Sequence, residues 1–150
     1  MRLTIVTPLA VVVETDRVAH LRAEDETGAF GILPGHADFL TALAVSVVTW
    51  RDAGGAEHHV AARGGMLEVR GGEAISIATP EAVPGDDLQR LEAEVLTRFR
   101  HEVAEEHAAR TDAQRLYLAA IREIERFLRP GATPAIPGAI STVPDAGLDA

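Results

Sequence analysis

Cysteine and lysine are both missing from this chain of 150 residues. Without thiols there is no disulfide and no thiolate metal site. Arginine carries all the basic charge, 14 residues against 23 acids, for a net charge of -9. A surface this acidic repels nucleic acid and anionic lipid. The exclusive use of arginine reads as a compositional habit before it reads as chemistry. Aromatic residues are scarce at 4%, and no apolar run is long enough to cross a bilayer. The N-terminus breaks at Pro8 before a signal-peptide apolar region has formed, so no secretion is expected. With 47% hydrophobic and 25% charged residues, the length suits one globular domain or a small domain with an appendage.

The parts of an active site are also thin. Ser46, Ser76 and Ser141 fall in expected strands or tail with no nucleophile elbow around them. The segment from Gly64 to Gly72 is rich in glycine, but it lacks the Lys-Ser/Thr ending of a phosphate loop and reads as a hairpin. His20, His58 and His59 could be imagined as metal ligands, but His58 and His59 are adjacent on an expected strand and point to opposite faces, so they cannot both turn to one ion. His101 and His107 stand on different faces of a helix, without the HExxH spacing. These patterns predict no catalytic residue and no metal site.

What is present is a change of period. From Met1 to Pro84, short apolar or alternating runs are punctuated by turns such as Thr7-Pro8, Pro34-Gly35, Gly64-Gly65 and Gly71-Gly72. The runs are 3–6, 10–13, 18–23, 29–33, 43–50, 59–62, 66–69 and 74–78, and they predict an antiparallel β-sandwich over residues 1–85. Beyond Pro84-Gly85, Leu88, Leu91, Val95, Phe99 and Val103 recur at helical spacing, with Asp86 and Asp87 at the N-terminus. Thr111 and Gln114 read as a capping box that starts a second helix after the first ends near residues 107–110, giving a two-helix hairpin over 86–129; neither Gly nor Pro marks that boundary, and one merged long helix is the alternative. The second helix carries Tyr117, Ala120, Ile121, Ile124 and Leu128 on one face and stops at Pro130. Residues 130–150, rich in Pro, Ala and Gly, read as a disordered tail. No internal repeat is evident.

Two features remain as candidate sites. Gly28 to Leu43, GAFGILPGHADFLTAL, sets a turn-dense loop between apolar flanks, with His36 and Asp38 its only strongly ionisable groups. A base without a nucleophile, metal set or phosphate cradle makes a docking edge a better reading than an active site. Arg115, Arg122, Arg126 and Arg129 line one stripe of the second helix, opposite its apolar face. A solvated face is the ordinary reading of such a stripe. On an otherwise acidic chain, with Glu123 and Glu125 at its flanks, it also fits a specific acidic partner.

The loop motif GxxGIxPGHxxxLT at Gly28–Thr41, the Gly64-Gly65-Met66-Leu67-Glu68-Val69 segment and the terminal helices together resemble the epsilon subunit of bacterial rotary F-type ATP synthases. The resemblance covers residues 1 to about 129. It implies a non-catalytic central-stalk subunit on the cytoplasmic face of the membrane, held there by the complex. It further implies that the sandwich grips the gamma shaft and that Ala29, Phe30, Gly35, His36 and Asp38 sit at or near the c-ring. Its helices would inhibit ATP hydrolysis, with Arg115, Arg122, Arg126 and Arg129 meeting acidic segments of the alpha/beta catalytic subunits. Some members bind ATP through Ile/Leu-Asp-x-x-Arg-Ala. Here Asp112 and Arg115 match, while Thr111 and Leu116 depart from it. Ala29 also replaces a carboxylate common in the family. These departures point toward a divergent, alternate-type member whose coupling ion, sodium or proton, other subunits choose. Two competing readings are an ATP-sensing sandwich and hairpin using Asp112 and Arg115, and a small sandwich enzyme using His36 and Asp38, for which no nucleophile or metal set is at hand.

Overall fold

The alternating runs become eight strands in a computed structural model that describes residues 1–128: β1 (Arg2–Val6), β2 (Val11–Thr15), β3 (Val18–Asp25), β4 (Gly28–Ile32), β5 (Phe39–Asp52), β6 (Glu57–Arg70), β7 (Ala74–Ala78) and β8 (Ala82–Gly85). They are hydrogen-bonded in the order β2-β1-β7-β6-β5-β3-β4, with β8 also on β6. Arg129 and the 130–150 tail lie outside the described residues. Neighbours pair antiparallel except β1 and β7, which run parallel from Arg2↔Ala74 to Val6↔Ala78. Five intervening strands make that parallel connection, so no crossover helix is needed.

The count of strands matches expectation, but their identities do not. Residues 59–62 and 66–69, expected as two strands around a Gly64-Gly65 turn, belong to one strand of 14 residues. Both glycines have positive φ, 73° and 116°, yet the β5 register runs past them unchanged, from Leu43↔Gly65 to Val45↔Arg63. What changes there is the partner on the other side: residues 66–70 pair with β7 and residues 59–62 with β8. Gly65 is needed at this switch because a Cβ would lie 2.1 Å from the Ala78 carbonyl oxygen. The true turn is at Gly71-Gly72, between Arg70 and Ala74. β8 was not expected, since Ala82-Val83-Pro84-Gly85 ends in turn residues and offers little alternation.

Inward residues of β1, β3, β5, β6 and β7, among them Leu3, Ile5, Leu21, Val48, Val60 and Leu67, make the main core. A second, smaller core forms on the outer face of β5 and β6, where Ala61 meets Leu91, Leu96 and Phe99, with Val45, Val47 and Val83 beside them. Alternation assigns the two faces: Val60 and Ala62 belong to the first core and Ala61 to the second.

Asp87 caps the helical segment, its Oδ1 accepting from the Arg90 N–H at 3.2 Å. A short α1 (Leu88–Arg90) leads into a π-helical turn over Leu91–Val95, in which Leu96 N–H bonds to the Leu91 carbonyl, and then into α2 (Leu96–Leu128). The extra residue in that turn explains why the buried side chains are Leu91, Leu96 and Phe99, a step of five followed by one of three. A regular 3.6-residue period favours Leu88 and Val95, but Leu88 is exposed and Val95 half-buried.

α2 runs unbroken for 33 residues, so the sharp reversal expected before Thr111 is not present. Neither glycine nor proline occurs between Gly85 and Pro130, and a capping box alone does not turn a chain that is otherwise rich in strong helix formers. The first compact unit covers Met1–His107 and the second begins at Ala108. Within the first unit, Arg63 binds the helix through Glu102 at 3.5 Å and through Glu106, and also approaches Glu81 at 3.9 Å. Arg98 reaches the same Glu81 at 2.7 Å.

Phe99 is fully buried and is the last buried side chain of the helix. Phe99→Ala will weaken helix docking by about 3–5 kcal/mol. Amide exchange should then accelerate over residues 91–107 while β1 and β7 amides keep their protection; equal acceleration in the sandwich would refute a separate outer core.

Asp25 anchors the β3–β4 turn to β5, accepting from Thr27 Oγ1 at 2.6 Å, Thr27 N at 2.8 Å and Thr41 Oγ1 at 2.8 Å. These bonds, the Thr27 hydroxyl foremost and then Thr41, hold its pKa below the ordinary 3.8. Because the folded-state pKa is depressed, the stabilisation is complete above that ordinary value and is lost as pH falls through the folded one. The urea midpoint of Asp25→Asn should therefore lie below wild type near pH ~6, and the gap should close toward pH ~2. A gap independent of pH would exclude the carboxylate as its source.

Candidate functional site

The Gly28–Leu43 stretch becomes β4, a loop over residues 33–38, and the start of β5. The loop is mostly exposed, with Leu33 59% accessible, yet its backbone is tied at several points. His36 N–H bonds to Leu33 O at 3.1 Å, closing a turn across Pro34-Gly35. Gly35 N–H bonds to Gly72 O at 2.9 Å, and Asp38 Oδ1 accepts from Gly71 N–H at 2.7 Å. Two loops from distant parts of the chain thus form one tip.

His36 is half-buried, and its Nδ1 donates to Ala37 O at 2.8 Å. Its ring meets Phe39 edge-on with centroids 5.7 Å apart, and Phe39 meets Phe30 in the same way at 5.6 Å. Phe30 and Phe39 also pack on the main core, so His36 rests on an aromatic path into the sandwich. Of the expected contact residues, Gly35, His36 and Asp38 are in the loop and Phe30 supports it from below. Ala29 has the opposite parity from Phe30 on β4 and faces elsewhere. It is exposed and lines a groove of about 440 Å³ with Arg22, Thr49, Glu92 and Arg100.

Residue-type reasoning missed Gly71 and Gly72 as parts of the tip, because only the fold brings them within bonding distance of residues 35–38. Next to the tip, the outward residues Leu40, Ala42, Met66 and Ala78 are exposed on paired positions of β5, β6 and β7. Glu68 lies in the same face and is neutralised by Arg70 at 2.7 Å. Here an acidic protein offers a nearly neutral surface.

On α2, Arg115, Arg122 and Arg126 are exposed along one stripe. Arg115 pairs with Asp112 at 3.7 Å and Arg126 with Glu123 at 3.8 Å, all four side chains more than half exposed. Such pairs contribute ~0–1 kcal/mol and leave the guanidinium groups available. The Asp112–Arg115 pair is therefore a surface i,i+3 contact here. On the other side of the helix Tyr117, Ile124 and Leu128 are exposed as well, and Ile121 is half-buried.

Two further histidines have structural partners: His59 Nδ1 lies 2.9 Å from Thr49 Oγ1, and His58 stacks on Trp50 at 5.3 Å with Asp52 3.3 Å from its Nε2. Among the described residues no group of three or more His, Cys, Asp or Glu side chains is placed to hold a metal ion.

The family described as ATP synthase, Delta/Epsilon chain, beta-sandwich domain matches residues 1–85. The ATP synthase epsilon chain 2 of Cereibacter sphaeroides is 44% identical over 136 residues, covering 88% of this chain and 92% of that one. That of Paraburkholderia xenovorans is 41% identical over 130 residues, covering 87% and 94%. Among solved structures, a chain of the Euglena gracilis mitochondrial ATP synthase, in an assembly of OSCP, F1 and c-ring, aligns with a TM-score of 0.53 at 26% identity, covering 60% of this chain and 57% of that chain. A chain from the central stalk and c-ring of the Tetrahymena thermophila enzyme shares the fold, at a TM-score of 0.51 and 16% identity over 63% of this chain and 71% of that one. A family match over more than half the chain, with relatives above 40% identity along nearly all of their length, means that this chain belongs to the ATP synthase epsilon-subunit family.

Proposed function

We propose that the chain is the non-catalytic foot of the central stalk in an F-type ATP synthase, joining the gamma shaft to the c-ring and restraining ATP hydrolysis through α2. The observation that carries this reading is the two-loop tip: it holds the Gly28–Thr41 motif in a fixed shape, and the motif's loop side chains His36 and Asp38 are engaged in hydrogen bonds to backbone. Gly35 and His36 would meet the polar loops of the c-ring, with Phe30 behind them. The near-neutral face of Leu40, Ala42, Met66 and Ala78 suits gamma, since burying it strips no unpaired charge of its water. No described helix is long and apolar enough to cross a membrane. In this reading the subunit meets the cytoplasmic face of the bacterial membrane through the complex.

Arg115, Arg122 and Arg126 would meet acidic segments of the alpha/beta subunits, and Arg129 continues the stripe by sequence. Removing residues 111–150 should raise ATP hydrolysis by the assembled complex several-fold while leaving assembly intact. The difference should shrink as salt rises, because exposed charge pairs are screened within about 10 Å at 0.1 M. Unchanged hydrolysis refutes the inhibitory stripe. Tagged full-length chain should recover gamma, c-ring and catalytic subunits from solubilised membranes, and their absence overturns the stalk assignment.

A further inference from the structure

We propose that Asp38 is a positioning residue of the tip: it locks the docking loop onto the Gly71-Gly72 turn and so fixes where His36 stands, without itself needing to touch the partner. This rests on the docking role proposed for the tip. Asp38 is exposed, as a contact residue would be, but its Oδ1 is committed to Gly71 N–H at 2.7 Å across 33 residues of chain. A second tie, Gly35 N–H to Gly72 O at 2.9 Å, fixes the middle of the same loop. The turn is a close-fitting seat. Gly72 is buried with φ 71°, and a Cβ there would lie 2.7 Å from Gly35 Cα and 3.0 Å from Gly35 C.

The seat is itself anchored. Arg70 and Ala74 pair on either side of the turn, Glu73 N–H bonds to Arg70 O at 3.2 Å, and Arg2 N–H bonds to Glu73 O at 2.7 Å. The loop by contrast has few buried attachments, its apolar Leu33 being exposed. Without the Asp38 tie it would sample more than one shape, and docking would then have to order it first. A tip that carries torque loses work in such slack.

The test uses the full-length chain with Asp38→Ala and Asp38→Asn. Asparagine keeps a side-chain oxygen that accepts from Gly71 N–H and removes the charge. In the alanine variant, amide exchange at Gly71 and Gly35 should accelerate roughly 10- to 100-fold, while Ile32 and Val69 stay protected. The asparagine variant should stay near wild type. In inverted membrane vesicles carrying the assembled complex, Asp38→Ala should lower the ions pumped per ATP hydrolysed at normal subunit recovery, and Asp38→Asn should restore the ratio.

Unchanged exchange in the alanine variant overturns the lock. If Asp38→Asn uncouples pumping as fully as Asp38→Ala, the charge acts directly on the partner and the positioning role is wrong. If the loop loosens but the pumping ratio holds while tagged chain still recovers the c-ring, the lock has no part in coupling. If wild-type chain does not recover the c-ring, the docking reading fails and the coupling role falls with it.

Discussion

The join between the loop tip and the helix dock depends on β6 passing the end of β7 at Gly65. No side chain can occupy that position, since its first carbon would lie 2.1 Å from the Ala78 oxygen. The positive φ values of Gly64 and Gly65 let one strand pair with β7 beyond the switch and β8 before it, without losing register to β5. A two-strand solution would leave β7 and β8 on unrelated elements. With one strand, the β6–β7 turn and the outer face under the helix are set by the same backbone, so the tip and the helix dock are geometrically linked.

That linkage explains how a small domain uses both faces of its longest strands. Val48 and Val60 close the main core, while Val45, Val47 and Ala61 on the opposite face receive Leu91, Leu96 and Phe99. Each fully buried apolar side chain contributes ~1.5–3 kcal/mol, so three of them hold about three turns of helix and little more. Past Phe99 the helix is held by the Arg63 and Arg98 ion pairs to Glu81, Glu102 and Glu106, and apolar packing dwindles to half-buried Val103. The π-helical turn at Leu91–Val95 brings Leu91, Leu96 and Phe99 onto one surface, which a regular helix does not do for a step of five.

The class of fold was legible because period is a local property: strands before Pro84 and a helix after it are what the structure holds. The position of Asp87 as N-cap was equally local. Gly64-Gly65 misled because a glycine pair marks a reversal in one context and a close backbone approach in another, and the Ala78 carbonyl that decides between them is remote in sequence. The unbroken α2 shows the converse, since Thr111 and Gln114 offer a start signal inside a run with no stop signal. Of the candidate site, His36 and Asp38 could be picked out by residue type and loop chemistry. Their partner Gly71 could not, because that contact exists only once the β6–β7 turn is brought to the loop between β4 and β5.

Charge separates the two candidate surfaces by the kind of partner each can hold. Residues 1–107 carry nine Arg against eighteen acids, whereas residues 108–128 carry four against three. The tip and its adjoining face nevertheless hold their charges close to the protein: Asp38 accepts from the Gly71 N–H and Glu68 pairs with Arg70. The contact proposed there would therefore rest on shape and fixed backbone, which suits a permanent joint that has to transmit force without dissociating. The arginine stripe of α2 is the opposite case. Its pairs are exposed and weak, so a stronger acidic partner displaces them at little cost, and the attraction depends on ionic strength. A surface of that kind suits a contact that must be made and broken, which is what the proposed restraint of hydrolysis would require.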